Sequence, residues 1–373
     1  MLPPTPFGLW RAAIALAKAA ARTRRIGKRK GVAMKQVIIT GKHQCEIVDR
    51  PDPKASGDYV VVKNLAVPMC TEYKGYRGDW TSQNLGHEAA GEVVDVAQPG
   101  RVKVTDRVVV MPQDACGRCP LCLSGDYIHC QSPVNVLKAT GNAAGTATYA
   151  QYLIKADWQL VPIPDGVSYD HAGMACCGLG PTFQAMQRMD VSGLDTVLVT
   201  GLGPVGLGGV INAACRGARV IGVESHPYRA ALAKRLGAET VVDPSDKDAL
   251  QHILDLTGGR GADKAVDCSG SAQAQRLMID AARRRGHVAF VGEAGDLVLR
   301  VSDDTIRKGL TLHGVWHYPL GDAPRIMEII RRRPDLMDQL ITHTFPMSRV
   351  RDAWQLQLTG ACGKVVLHPW DDA

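Results

Sequence analysis

The chain has 373 residues, enough for two domains with separate cores, and its 45% hydrophobic and 22% charged content is ordinary for a globular protein. No apolar run reaches the roughly eighteen residues of a membrane span, and Arg11 and Lys18 interrupt the apolar stretch near the start, which argues against a signal sequence. The net charge of +7 is local: residues 1–33 carry eight basic residues and no acid, so the remainder sums to −1 and offers no basic excess for nucleic acid.

Residues 1–33 read as a basic N-terminal extension, disordered or helical. Trp10, Ile14 and Leu16 beside the Arg/Lys set would suit an amphipathic helix that touches membrane or acts as a transit segment. A disordered tail is the second option, and a true start at Met34 is the third, because MKQVIIT would open a compact domain as a strand. From Met34 to about Tyr152 the runs Val37–Thr40, Tyr59–Asn64, Gly91–Val96 and Arg107–Met111 are separated by PDP, SGD and QPGR. They predict an antiparallel barrel-like or sandwich domain. From about Thr182 the texture changes. Thr196–Thr200, Arg219–Glu224, Thr240–Asp243, Lys264–Asp267 and His287–Val291 alternate with helical stretches, as in a parallel sheet covered on both faces. The end returns to short strands, the last being Lys364–His368, so the N-terminal domain is expected to recruit the C-terminal segment. The expected division is 34–177 with 319–373 for one domain and 178–318 for the other.

Eleven cysteines are present, and four cluster at Cys116, Cys119, Cys122 and Cys130. Clustering favours metal thiolates in a reducing, cytoplasmic compartment over a disulfide framework. C-x2-C-x2-C-x7-C on a tight loop, about 112–131, suits four thiolates around a tetrahedral zinc, with Gly117, Pro120 and Gly125 permitting the turns. Four protein ligands leave no open position, so this zinc would be structural. An iron–sulfur cluster or uncoordinated cysteines are the alternatives.

A second set is more scattered. Cys70, His87 and one of Cys176 or Cys177 would form a Cys2His site with an open fourth position, the composition associated with catalytic zinc in alcohol oxidation. A metal there would take the substrate oxygen and stabilise the alkoxide. Glu88 beside His87 reads as an outer or transient ligand.

Thr196–Thr200 runs as a strand into Gly201-Leu-Gly203-Pro204-Val205-Gly206 and a helix-like Leu207–Arg216. With both flanks present, G-x-G-x-x-G reads as a pyrophosphate loop. Glu224 closes the next strand eighteen residues after Gly206, where a carboxylate binds both ribose hydroxyls and disfavours a 2′-phosphate, pointing to NAD. Arg229 nearby is the residue that would instead favour NADP.

Together and in this order, these motifs resemble the zinc-dependent medium-chain dehydrogenase/reductase family, from about Met34 to the C-terminus. Val266–Gly270, Gly286–Gly292, Ile341–Phe345 and Gly363–Leu367 look like further landmarks of it. The resemblance implies a fold of α/β plus β class: a GroES-like β-rich catalytic domain and a Rossmann NAD-binding domain with a doubly wound parallel sheet. It implies an alcohol dehydrogenase with two zinc ions per chain, a small-molecule alcohol or carbonyl substrate, and a homodimer or homotetramer. It selects Cys177 as the third ligand, with Cys176 as fallback, and adds Gly292 and Lys364 to the cofactor contacts, Lys364 at the pyrophosphate. The sequence departs from the family after Cys70. The usual relay hydroxyl and histidine positions hold Glu72 and Gly75, and a one-residue deletion would make Thr71 the relay with Glu72 behind it. Tyr73, Lys74 or Tyr76 would then tune proton release. A secondary alcohol, polyol or amino-alcohol is the expected substrate. Two rivals are a zinc-free NADPH-dependent quinone or enoyl reductase and a non-catalytic scaffold or redox sensor. Both conflict with an intact Cys2His set beside a complete NAD loop.

Overall fold

Residues 33–371 are described by a computed structural model, and the expectations for the N-terminal extension fall on residues 1–32, outside them, and on Ala33. β1 (Met34–Gly41) and β2 (Gln44–Arg50) form an antiparallel hairpin. β3 (Tyr59–Pro68) then organises a mainly antiparallel sheet. It pairs with β4 (Ala89–Asp95) and β6 (Tyr152–Ala156), and β4 leads through β5 (Arg107–Val110) to β7 (Leu160–Pro162). The alternation of side chains across each strand gives this sheet two apolar faces. Val60 and Val62 of β3, Val93, Val108 and Leu153 pack with Tyr76, Tyr149 and Trp354. The opposite set, including Ala66, Ala90, Val109 and Val161, joins a core shared with the second sheet.

The second sheet is wholly parallel, with strands β8 (Thr196–Thr200), β9 (Arg219–Val223), β10 (Thr240–Val242), β11 (Ala262–Asp267), β12 (Ala282–Phe290) and β13 (Thr311–Gly314). Val197, Leu198 and Val199 are all fully buried, as expected for a strand covered on both faces. The spatial order is β10-β9-β8-β11-β12-β13. The direction of winding therefore reverses between β8 and β11, and a crevice opens beyond their C-terminal ends. This is the doubly wound arrangement that the strand–helix alternation predicts.

β14 (Ile341–Pro346) runs parallel to β15 (Lys364–His368), and β15 pairs antiparallel with β3 through Val366–Pro68 and Leu367–Val67. The Met69 N–H donates to the Val365 carbonyl at 2.8 Å. The end of the chain thus fixes the backbone immediately before Cys70. No helix among the described residues is long and apolar enough to cross a membrane.

Candidate active site and metal centres

The lobe after β5 gathers four sulfurs. Cys119 Sγ lies 3.5 Å from Cys122 Sγ and 4.0 Å from Cys130 Sγ, and Cys116 Sγ lies 3.9 Å from Cys122 Sγ. These separations are far beyond a disulfide bond. They match the edge of a tetrahedron with metal–sulfur arms of 2.3 Å, which is about 3.8 Å. Backbone N–H groups of Cys119, Cys116 and Ser132 donate to Cys116, Cys130 and Cys130 sulfurs at 3.3, 3.3 and 3.4 Å. Such donors favour thiolates: N–H groups including that of Cys122 bring Cys119 down to about 6, whereas burial pushes Cys122 up to about 12. The donor set fits zinc, and all eleven cysteines are free of disulfides.

A second cluster forms where the end of β3, the loop before β4 and the turn before helix Gly180–Arg188 converge. One ligand atom each from Cys70, His87, Glu88 and Cys177 lies within 4.8 Å of the others. His87 Nε2 is 3.3 Å from Cys177 Sγ. A Cys177 thiol hydrogen bond holds Cys70 well below the usual thiol range, and the same contact raises Cys177. Two sulfurs and an imidazole nitrogen facing one another suit a cation of zinc's preferences. Cys176 is outside the cluster: its thiol is buried and points to the Val110 carbonyl at 3.4 Å.

Glu72 sits behind His87 rather than in the cavity. Its Oε1 is 2.9 Å from His87 Nδ1, while Oε2 accepts from the Cys70 N–H at 3.0 Å and the Tyr149 hydroxyl at 3.2 Å. Burial opposes the carboxylate, but His87 and the backbone donors hold it at about 2. With both oxygens committed, Glu72 is not placed as a proton relay, whereas Thr71 and Lys74 are among the polar side chains that line the cavity. Lys364 differs from expectation as well. It is fully buried, and its ammonium contacts both Glu88 oxygens at 2.8 and 3.0 Å. Burial works most strongly against that charge, and the Glu88 carboxylate together with Cys70 and Cys177 outweighs it. Glu88 itself also accepts from the Cys177 N–H at 3.2 Å, so it is an interior brace rather than a surface acid.

The crevice holds a cavity of about 690 Å³ lined by Gly201, Gly203, Pro204, Val205, Glu224 and Arg229 on one side and Cys70, Thr71, Tyr73 and Lys74 on the other. The loop is shaped by close approach. Gly201 has φ +78°, and a Cβ on Gly206 would fall 1.9 Å from the Gly201 carbonyl oxygen. A Cβ on Gly203 would meet nothing nearer than Arg229 at 4.0 Å, which leaves that face open to a ligand. No side chain caps helix Pro204–Ala214, so its N-terminus faces the cavity as an anion site. Glu224 follows β9, and its two oxygens accept from the N–H groups of Leu202 and His226 at 2.8 and 2.9 Å. Adjoining this space is a cavity of about 340 Å³ that reaches Cys70, His87, Cys177 and Gly292 and is walled by Val315, Trp316 and His317. The last three residues carry no motif. Only their position after β13 brings them here, so sequence reasoning missed them.

Residues 56–165 match the alcohol dehydrogenase GroES-like domain family, and residues 204–332 match the zinc-binding dehydrogenase family. An uncharacterized zinc-type alcohol dehydrogenase-like protein of Escherichia coli K12 is 35% identical over 292 residues, 76% of this chain and 80% of that one. Sorbitol dehydrogenase of Bacillus subtilis is 29% identical over 90% of this chain and 97% of its own length. Among solved structures, an alcohol dehydrogenase of Thermus sp. ATN1 superposes with a TM-score of 0.81 at 21% identity, covering 90% of this chain and 99% of that one, which concerns the fold. With the two metal clusters and the crevice in place, these matches show that the chain belongs to the zinc-dependent medium-chain alcohol dehydrogenases, a family of oxidoreductases.

Proposed function

We propose that the chain transfers hydride between an alcohol and NAD at the base of the crevice, with Cys70, His87 and Cys177 holding a catalytic zinc and Cys116, Cys119, Cys122 and Cys130 holding a structural one. The observation that carries this reading is the convergence of the Cys70, His87 and Cys177 ligand atoms in the cavity that adjoins the Gly201–Gly206 loop. Zinc in that donor set supplies positive charge that makes an alcohol hydroxyl more acidic. NAD+ supplies the hydride acceptor. The residues supply the rest. Glu72 orients the His87 ring through Nδ1, and Glu88 with Lys364 fixes the backbone at Cys177. The Gly203 face and the helix N-terminus receive pyrophosphate, Arg229 stands over that loop, and Glu224 sits where ribose hydroxyls would lie. Thr71 is the hydroxyl to which we assign the alcohol proton, and both it and Lys74 line the two cavities. A nicotinamide bound there would accept the hydride from the alcohol carbon, and Thr71 would pass the hydroxyl proton on to solvent, leaving a carbonyl.

The substrate class we favour is a secondary alcohol, polyol or amino-alcohol, in keeping with the similarity to sorbitol dehydrogenase. A cytoplasmic homodimer or homotetramer is supported by free cysteines and by exposed Val298, Val301 and Ile306 near the sheet edge at β13. Zinc content and turnover across an alcohol panel with NAD+ test the proposal together. Wild type should hold two zinc ions and oxidise at least one alcohol. Cys177→Ala should hold one and lose nearly all turnover, and full activity with one zinc would defeat the assignment.

A further inference from the structure

Of the polar side chains around the smaller cavity, one has a buried atom with no protein partner among the described residues: Nε2 of His317. The residue is 4% exposed and has φ +62°, a backbone region uncommon for side chains other than Asn, Asp and His. Its ring stacks on Tyr318 with centroids 4.6 Å apart, and Nδ1 lies 3.2 Å from the Tyr127 hydroxyl. The ring is therefore fixed on one face and one edge, and the remaining nitrogen is left without a mate.

The ring's proton can be placed by counting donors. Tyr127 is fully buried, and burial holds its phenol protonated. If Nδ1–H donated to the phenol oxygen, both the phenol proton and the Nε2 lone pair would lack partners. If the phenol donates to Nδ1, only one group is left over, an Nε2–H. Buried polar groups are satisfied wherever possible, so the second arrangement is favoured. Burial also pushes His317 down to about 3, so the ring is neutral. A neutral donor matches an uncharged oxygen and gives no preference to carboxylate or phosphate.

We propose that His317 recognises a second hydroxyl of the substrate through Nε2–H, so that the site prefers diols and polyols to simple alcohols. The inference rests on the reading of this cavity as the alcohol site. Pro112, Ile128, Pro181 and Val315 give the cavity apolar walls for the carbon chain. Without a second oxygen the Nε2–H stays without a hydrogen-bond partner among the described residues. A site built to donate to a hydroxyl discriminates strongly against an analogue that lacks it.

Butane-2,3-diol and butan-2-ol differ by that one group. We expect wild type to favour the diol in kcat/KM with NAD+, and His317→Leu to cut that preference about 10- to 100-fold. Because φ is positive there, His317→Asn serves as the better-tolerated variant, its amide too short to reach the place of Nε2. Tyr127→Phe leaves the backbone at His317 alone but frees the tautomer, and it should raise KM for the diol more than for the mono-alcohol. An unchanged diol preference in a folded His317 variant overturns the proposal. If wild type oxidises neither these compounds nor any alcohol of the panel, the reading of the cavity as an alcohol site fails by itself, and calorimetry on the NADH-bound protein still decides the role of His317. Tighter diol binding that is lost in His317→Asn supports it, and equal binding of both compounds by wild type refutes it.

Discussion

Glu72 shows how much a single side chain can hide. Next to Cys70 in sequence it looks like part of a proton path, but its two oxygens receive three donors: the Cys70 N–H, the Tyr149 hydroxyl and the His87 ring. A glutamine there has one oxygen, and its amide nitrogen would face donors. Glu72→Gln should therefore release the His87 ring and weaken zinc at the Cys70 site by about 10- to 100-fold, the usual effect of losing such a partner. Chelator competition on the folded variant measures this, and an unaltered zinc affinity would deny Glu72 an orienting role. Cys70, His87 and the four lobe cysteines were legible because ligand chemistry restricts residue type and spacing. His317 and the Glu88–Lys364 pair were not, because their partners lie 190 and 276 residues away and leave no local pattern. Lys364 was read as a pyrophosphate contact from its place in a motif. Where its ammonium points depends on a carboxylate in another strand's approach loop.

At the level of elements, buried strands were easier to read than exposed ones. β8 and β15 fall on the residues read from the apolar runs, Thr196–Thr200 and Lys364–His368. β2 has no fully buried residue, so the hydrophobic alternation that marks a strand is missing from QCEIVDR. The loop after β8 gives the sharpest element-scale test, because its glycines serve different masters. Gly206→Ala pushes a Cβ into the Gly201 carbonyl, so it should destabilise the cofactor-free protein by about 1–3 kcal/mol. Gly203→Ala meets only open space and should change stability by no more than about 0.5 kcal/mol. It should nonetheless weaken NADH binding, since the added methyl occupies the approach of the pyrophosphate. Denaturant unfolding and fluorescence titration with NADH separate the two effects. Equal loss of stability in both variants would contradict this division of labour.

For the whole molecule, β15 is the piece that ties distant parts of the chain together. At its start Lys364 engages Glu88 beside the metal cluster, and at its end His368 Nε2 meets Asp170 at 2.9 Å, on the short helix Tyr169–Gly173 that precedes Cys177. His368 Nδ1 also meets Asp371 at 3.1 Å. The Asp170 hydrogen bond raises His368 above the usual histidine range, with both carboxylates adding to it against the cost of burial. A histidine that binds its proton more tightly when folded stabilises the fold while the pH is below its unfolded value of about 6.5. That contribution disappears as the pH rises through the higher folded value. His368→Gln keeps hydrogen-bonding capacity but cannot titrate. The stability difference between wild type and this variant should thus be greatest near about pH 6 and shrink steadily toward about pH 9. Unfolding is best followed on zinc-loaded protein, in which His87 is held as a ligand and does not add its own titration. Wild-type and variant curves that run parallel across that range would mean that the closure of β15 onto the Asp170 helix carries no charge-dependent part.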